Sequence, residues 1–255
     1  MKFTVNLRIA LCAVVASLIS GCVNPVQIKN VQEDKAGYLT DHFSPDNLPG
    51  PVRKTISEAD GGRLNFKRIV YRQTWTLNVD DKNKTTTMDE ATTLTNAGGG
   101  FVEFLSENSR NGVPMSQMYK LSYRNLVPLK SQTMNLSARV APLLMEVKNF
   151  KHFDPITSLR NGLEYEFQYG TSVQIMNFRD GRTSCVRGDA KPATDVYASL
   201  SGEAWDVVCT EYNMNGVPQS KRRYVYLDKY GVAISVHSEL STGVSDAKIT
   251  SIIIE

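Results

Sequence analysis

Apolar and polar residues alternate through much of the chain. Residues 74–79 read Thr-Trp-Thr-Leu-Asn-Val, residues 163–169 read Leu-Glu-Tyr-Glu-Phe-Gln-Tyr, and residues 224–227 read Tyr-Val-Tyr-Leu. A period of two puts alternate side chains on one face, the mark of a strand with one face covered. Strand-like runs also occupy 101–105, 118–123, 205–212 and 232–238, and turn clusters stand at 80–84, 179–181 and 228–231. Turn signals at this spacing predict an all-β protein of about a dozen strands. Residues 134–147 carry the weakest pattern. A helix there would hold Pro142 in its middle, so a strand is expected, in register with 241–254.

The chain also echoes itself. Residues 101–116 read FVEFLSENSRNGVPMS and residues 205–220 read WDVVCTEYNMNGVPQS, with six of sixteen positions identical. Chance would give about one. The identities include Glu107/Glu211, Asn111/Asn215, Gly112/Gly216 and Pro114/Pro218. Upstream, His42-Phe43-Ser44-Pro45 is echoed by His152-Phe153-Asp154-Pro155 in the same order. These pairs predict an internal duplication, copy one at 42–149 and copy two at 150–255, joined in one compact domain. Ser44 and Asp154, each followed by Pro, suit the start of a short helical turn, and Phe43 with Leu48 suits a hydrophobic staple. Each Asn-Gly pair predicts a hairpin, because a type I′ turn needs positive φ at both central residues.

Two such copies would cover each other's open faces and edges. The expected fold is an internally duplicated antiparallel sheet with short helical turns, built as a sandwich, a barrel or a curved sheet. Acids and lysines interrupt the alternation, which argues against a lipid-facing outer-membrane barrel.

Composition adds little beyond globularity: 41% hydrophobic, 22% charged and 9% aromatic residues in 255. Charge is more informative. Lys and Arg number 29 against 26 acids, and without Lys2 and Arg8 the balance is 27 against 26. A near-neutral body argues against a nucleic-acid partner held by a basic face.

The leader has its own pattern. Residues 1–8 carry Lys2 and Arg8, residues 9–19 are nearly all apolar, and Ser20-Gly21-Cys22 follows. About 20 apolar residues are needed to span a bilayer, so this shorter run reads as a secretory signal. Leu18-Ile19-Ser20-Gly21-Cys22 resembles the lipobox of bacterial lipoprotein precursors, in which the cysteine receives diacylglycerol and the signal is cut before it. Cys12 is the poorer candidate, because the bulky Leu11 precedes it. The resemblance implies a signal peptide over 1–21, lipidation of Cys22 and a palmitate-bearing anchor. Val23 and Asn24 stand where an Asp would signal retention in the inner membrane, so the outer membrane, periplasmic side, is the implied destination. Residues 22–41 are then expected to form a lipidated, polar tether.

Two cysteines are left, Cys185 and Cys209. In an oxidising compartment they are expected to pair.

Chemistry is sparse. The histidines are His42, His152 and His237, too few and too scattered for a zinc site. His42 and His152, and likewise Glu107 and Glu211, occupy equivalent places in the two copies and are the candidate site residues. Their plainer reading is structural: histidines fixing the entry to a turn, and glutamates on a hairpin strand. No nucleophile elbow, phosphate loop or calcium loop is present, and no cofactor is implied. The expected function is a binding or envelope-structural module of the outer membrane, with a hydrophobic-ligand carrier as the alternative and an enzyme built on the duplicated residues the less favoured third. Its partners are the membrane, through the anchor, and an envelope protein or an apolar ligand.

Overall fold

The computed structural model describes residues 25–59, 63–79 and 84–255. Cys22 and the leader lie outside the described residues. Twelve antiparallel strands follow one another around a closed ring, and the last pairs with the first. In order they are β1 (Arg68–Val79), β2 (Lys84–Asn96), β3 (Phe101–Arg110), β4 (Val113–Tyr123), β5 (Val127–Asn135), β6 (Met145–Phe153), β7 (Leu163–Thr171), β8 (Arg179–Pro192), β9 (Glu203–Tyr212), β10 (Pro218–Leu227), β11 (Val232–Leu240) and β12 (Gly243–Ile254). The all-β expectation holds, and of the three forms it allowed the chain takes the closed barrel. Closure gives every strand a partner on both sides.

Each strand pairs with its neighbours in sequence, so the connections fall alternately at two ends. At one end lie the β2–β3, β4–β5, β6–β7, β8–β9 and β10–β11 loops. Loop residues there are packed away: Leu126, Leu159, Leu200 and Tyr230 are all buried. We call this the sealed end, and the other the open end. The ring is thinnest between β5 and β6, where only Lys130↔Glu146 and Ser131↔Met145 are in register.

Among the described residues three α-helices precede the barrel: α1 (Ile28–Glu33), α2 (Lys35–Phe43) and α3 (Gly50–Ala59). The expectation of a polar tether as far as Asp41 is therefore corrected from Ile28 onward. Ile28, Val31, Leu39 and Phe43 are buried in a core with Tyr119, Leu121 and Met134 of β4 and β5. Helices of six and nine residues are too short to display a period along the sequence. Asp34 separates them and caps α2 by accepting the N–H of Gly37 at 2.8 Å.

A second core gathers Ile69, Leu94, Phe104, Leu227 and Ile252. Strands β3, β4 and β10 feed both cores, one face to each. Hence residues 224–227 are buried throughout, although their alternation suggested one wet face.

The echoed segments lie six strands apart, on β3–β4 and β9–β10. Their turns differ. Asn111 and Gly112 take φ of 51° and 75°, as a type I′ turn requires, and Gly216 is at 72°. Asn215 does not share the positive φ; the second turn is wider, and the Asn213 side chain accepts the N–H groups of Asn215 and Val217. The boundary at 149/150 falls within β6. Residues 134–147 are also corrected: β5 ends at Asn135, β6 starts at Met145, and a loop with Pro142 joins them. The 179–181 cluster is not a turn but the start of β8.

Candidate functional site

Strand β7 carries an aromatic ladder. Its alternation puts Tyr165, Phe167 and Tyr169 on one face, with successive ring centroids 5.7 and 5.6 Å apart. Phe153 of β6 extends the series, 6.0 Å from Tyr165. The ladder begins in the core, where Leu163 and Tyr165 are buried, and ends half-exposed at Phe167 and Tyr169 near the open end. Burial pushes the Tyr165 hydroxyl far above its usual range, so it stays a neutral hydrogen-bond partner of Thr183.

Gly181 makes room for this ladder. It pairs with Phe167 across β7–β8, and a Cβ there would lie 2.7 Å from the Phe167 ring. The ring thus covers a glycine on the neighbouring strand, a packing that shields otherwise open backbone.

The half-exposed rungs line a groove of about 480 Å³ whose other walls include Phe178, Tyr212, Met214 and Arg182. A shallower depression of about 120 Å³, lined by Pro128, Leu129, Met145 and Val147, adjoins it and shares Phe167 and Tyr169. Volumes of this order hold small ligands. Charges of both signs surround the groove: Arg179 and Arg182 line it beside Asp180 and Glu211, and Lys148 is paired with Glu146 at 2.7 Å. Arg182 lies over Tyr212 at 4.5 Å and pairs with Glu164 at 3.4 Å, and Lys148 sits 5.7 Å from the Phe178 ring. Arg179 is exposed at the lip. Asp180 is engaged by Lys151 at 2.8 Å, and that hydrogen bond holds its carboxyl below the usual range. An aromatic floor with arginines above it can seat an apolar chain that ends in an anionic group.

The open end carries more apolar surface. Of thirteen large hydrophobic residues exposed among the described residues, all but Val186 and Ile253 lie at or beside the open-end connections. Ile175 is 82% exposed, Met214 75% and Met176 63%.

The sealed end holds a different cavity, of about 250 Å³, lined by Arg63, Arg124, Arg160, Trp205, Tyr226 and Asp228 among others. Arg124 is buried and serves the fold: it donates to the carbonyl of Gly231 at 3.2 Å and lies over Tyr123. Trp205 stacks on Tyr226, and Arg187 covers it at 3.6 Å.

The candidate residues read from the sequence lie apart from the groove or at its wall. His42 is in α2 against Tyr38, ring centroids 4.4 Å apart, and burial lowers its pKa. His152 pairs with Asp154 at 2.9 Å. Glu107 takes Lys35 of α2 and Gln117 of β4, which ties the helix to the barrel. Glu211 lines the groove but accepts from Ser220 at 2.6 Å and faces Arg222 at 3.8 Å. His152, Glu107 and Glu211 thus have local polar partners, and His42 is exposed with a ring contact to Tyr38. No cluster of three or more His, Cys, Asp or Glu among the described residues could hold a metal. The expected disulfide is present: Cys185 and Cys209 face each other across β8–β9 and are bonded.

The sequence reading missed Phe178, Met214 and the exposed residues of the β7–β8 loop. A signal was there. Val173, Ile175 and Met176 lie between a strand and a charged cluster, where a polar turn is the norm.

No family model and no curated protein matches this chain. Among solved structures it is similar to a β-barrel-like protein of the domain of unknown function DUF1849 from Brucella abortus, at 12% identity and a TM-score of 0.37, covering 76% of this chain and 99% of that one. It is also similar to a DUF1329 family protein from Desulfovibrio piger, at 10% identity and a TM-score of 0.39, covering 79% of this chain and 90% of that one.

Proposed function

We propose that the protein is a lipid-anchored binding module of the bacterial envelope whose open-end groove takes up an apolar chain with an anionic head, such as an acyl chain. The aromatic ladder carries this reading. Rings that leave the core and line a groove of about 480 Å³ expose apolar surface that a purely structural barrel would bury. Anchoring through Cys22 on the periplasmic face of the outer membrane supplies the setting, and the lipobox supports it. Glu107, Glu211, His42 and His152 act as structural residues in this reading, and no catalytic role is assigned to them.

The test is native mass spectrometry of the Cys22→Ser protein purified from a bacterial periplasm. An added mass that extracts into organic solvent is expected. Displacement of a fluorescent fatty acid should follow the same site and should be lost in Tyr169→Glu, a half-exposed position that leaves the core intact. A bare mass together with no fatty-acid binding would sink the carrier reading and turn the search to a protein partner, found by crosslinking in the envelope. Labelled palmitate reports the anchor separately: it should enter the native chain and not Cys22→Ser.

A further inference from the structure

We propose that the open end of the barrel is a membrane-docking surface, with Leu143, Ile175, Met176 and Met214 entering the headgroup–acyl boundary of the same leaflet that holds the lipid on Cys22. This rests on the reading that Cys22 is lipidated; the surface itself is read from the barrel.

Three observations converge. The first is the concentration of exposed apolar side chains at one end, while the loops of the opposite end bury theirs. Separate connections contribute them: Leu143 between β5 and β6, Ile175 and Met176 between β7 and β8, and Met214 between β9 and β10. Packing among neighbours within one loop therefore does not explain them. Several large side chains on adjoining loops form the kind of patch that marks an interaction site.

The second is where the described chain starts. Val26 accepts the N–H of Ala141 at 2.9 Å, and Gln27 bridges to Val140. The polypeptide thus joins the barrel at the β5–β6 loop, on the open end. Cys22 stands three residues before Pro25. Three residues reach about 10 Å at most. An acyl group on Cys22 would hold this end, and no other, within about 10 Å of the bilayer.

The third is charge. Arg110 at the β3–β4 turn, Arg139 in the β5–β6 connection and Arg179 at the end of the β7–β8 connection are exposed at this end, and none forms an ion pair with an acid among the described residues. Unpaired arginines beside apolar side chains suit anionic lipid headgroups, which attract basic residues near the surface. The arrangement matches that of interfacial anchors, in which apolar groups enter the boundary and cations meet the headgroups. The groove opens at the same end, so its ligand would pass between protein and bilayer without crossing bulk water.

The experiment uses the lipidated full chain in vesicles of phosphatidylethanolamine and phosphatidylglycerol. Cys22 is acylated and Cys185 is bonded to Cys209, so a new thiol is the single labelling site. A nitrobenzoxadiazole dye is placed at Met176→Cys, at Leu143→Cys and, on the sealed end, at Ser199→Cys. Brominated lipids should quench the first two dyes and leave the third unchanged. Equal behaviour of all three, with mass spectrometry showing the lipid on Cys22, would overturn the docking surface and leave the anchor standing. Quenching of the open-end dyes in protein without that lipid would support the surface and overturn the anchor. Protection of those dyes without vesicles, together with a dimer in sedimentation, would overturn the proposal in favour of a second copy covering this end.

Discussion

Gly231 faces Arg124 so closely that a Cβ on the glycine would lie 2.6 Å from the arginine Nη1. The two residues belong to turns six strands apart, β10–β11 and β4–β5, that meet at the sealed end. The Arg124 guanidinium donates to the Gly231 carbonyl, the Arg124 carbonyl accepts the N–H of Ala233, and Asn125 donates to the Ala233 carbonyl at 2.8 Å. These bonds pinch the barrel shut at that end. They also explain how β4 comes to have both faces covered.

Gly231→Ala should therefore destabilise the protein. Its φ of 70° is strained for alanine, and the added methyl displaces a buried guanidinium. A loss of about 2–3 kcal/mol is expected in urea unfolding. A change below half that size would mean that the turn relaxes freely.

Phe43→Ala tests whether α2 belongs to the body. Phe43 is fully buried and stacks on Tyr119 at 5.9 Å. A large buried ring replaced by a methyl should cost about 3–5 kcal/mol. A residue of a free tether would cost nothing measurable.

Replacing Cys185 and Cys209 together by alanine opens a loop of sequence separation 24 that contains the buried cap residues Ala193 and Leu200. Loop entropy puts the loss at about 3 kcal/mol. Unreduced native protein should show no free thiol from this pair by titration.

His237 gives stability a pH dependence. Its Nδ1 lies 2.7 Å from Asp246 and its Nε2 3.1 Å from Glu239. The hydrogen bond to Asp246, with that to Glu239, raises its pKa above the usual value. The folded state then holds the proton more tightly than the unfolded one. The contribution is complete below the unfolded pKa of about 6.5 and is lost as pH rises through the raised value. Urea midpoints of native protein and His237→Gln should differ most in mild acid and converge in mild alkali.

Lys120 acts in the opposite sense. Its ammonium sits 4.1 Å from the centre of the Phe104 ring. Burial and Arg222 pull its pKa down to about 7, against the opposing pull of Glu90. The folded protein gives up this proton first, so stability should rise between about pH 7 and the unfolded lysine value of about 10.4. Lys120→Met keeps the unbranched stem, one atom shorter and without the charge, and should flatten that rise. A slope unchanged by the substitution would place its origin elsewhere.

Strand positions and the first Asn-Gly turn were legible because each is local. Leu163 to Tyr169 alternates with period two and is a strand; Asn111-Gly112 takes the dihedral angles its residue types favour. The disulfide was legible by elimination. The helices were not, since α1 and α2 together show four buried residues without a run long enough to set a period. The second Asn-Gly turn was misread because Asn213, two residues earlier, captures the backbone with its side chain. The groove was half legible: β7 announced its aromatic face, while Phe178, Tyr212 and Met214 reach it from the β7–β8 loop, β9 and the β9–β10 loop. Such convergence depends on which strands become neighbours, and nothing local records that.

The seam between β5 and β6 makes the ring a clasp more than a hoop. Two residue pairs hold it, against at least four at every other junction, and one is buttoned by Lys130 with Glu146, an ion pair 3.7 Å long and nearly enclosed. Parting this clasp would widen the depression between Leu129 and Val147, which already shares its wall with the groove, and would break no other ladder. The weakest joint of the ring is thus confined to one place. How wide such a ring stands is then governed by a single joint, not by the eleven others.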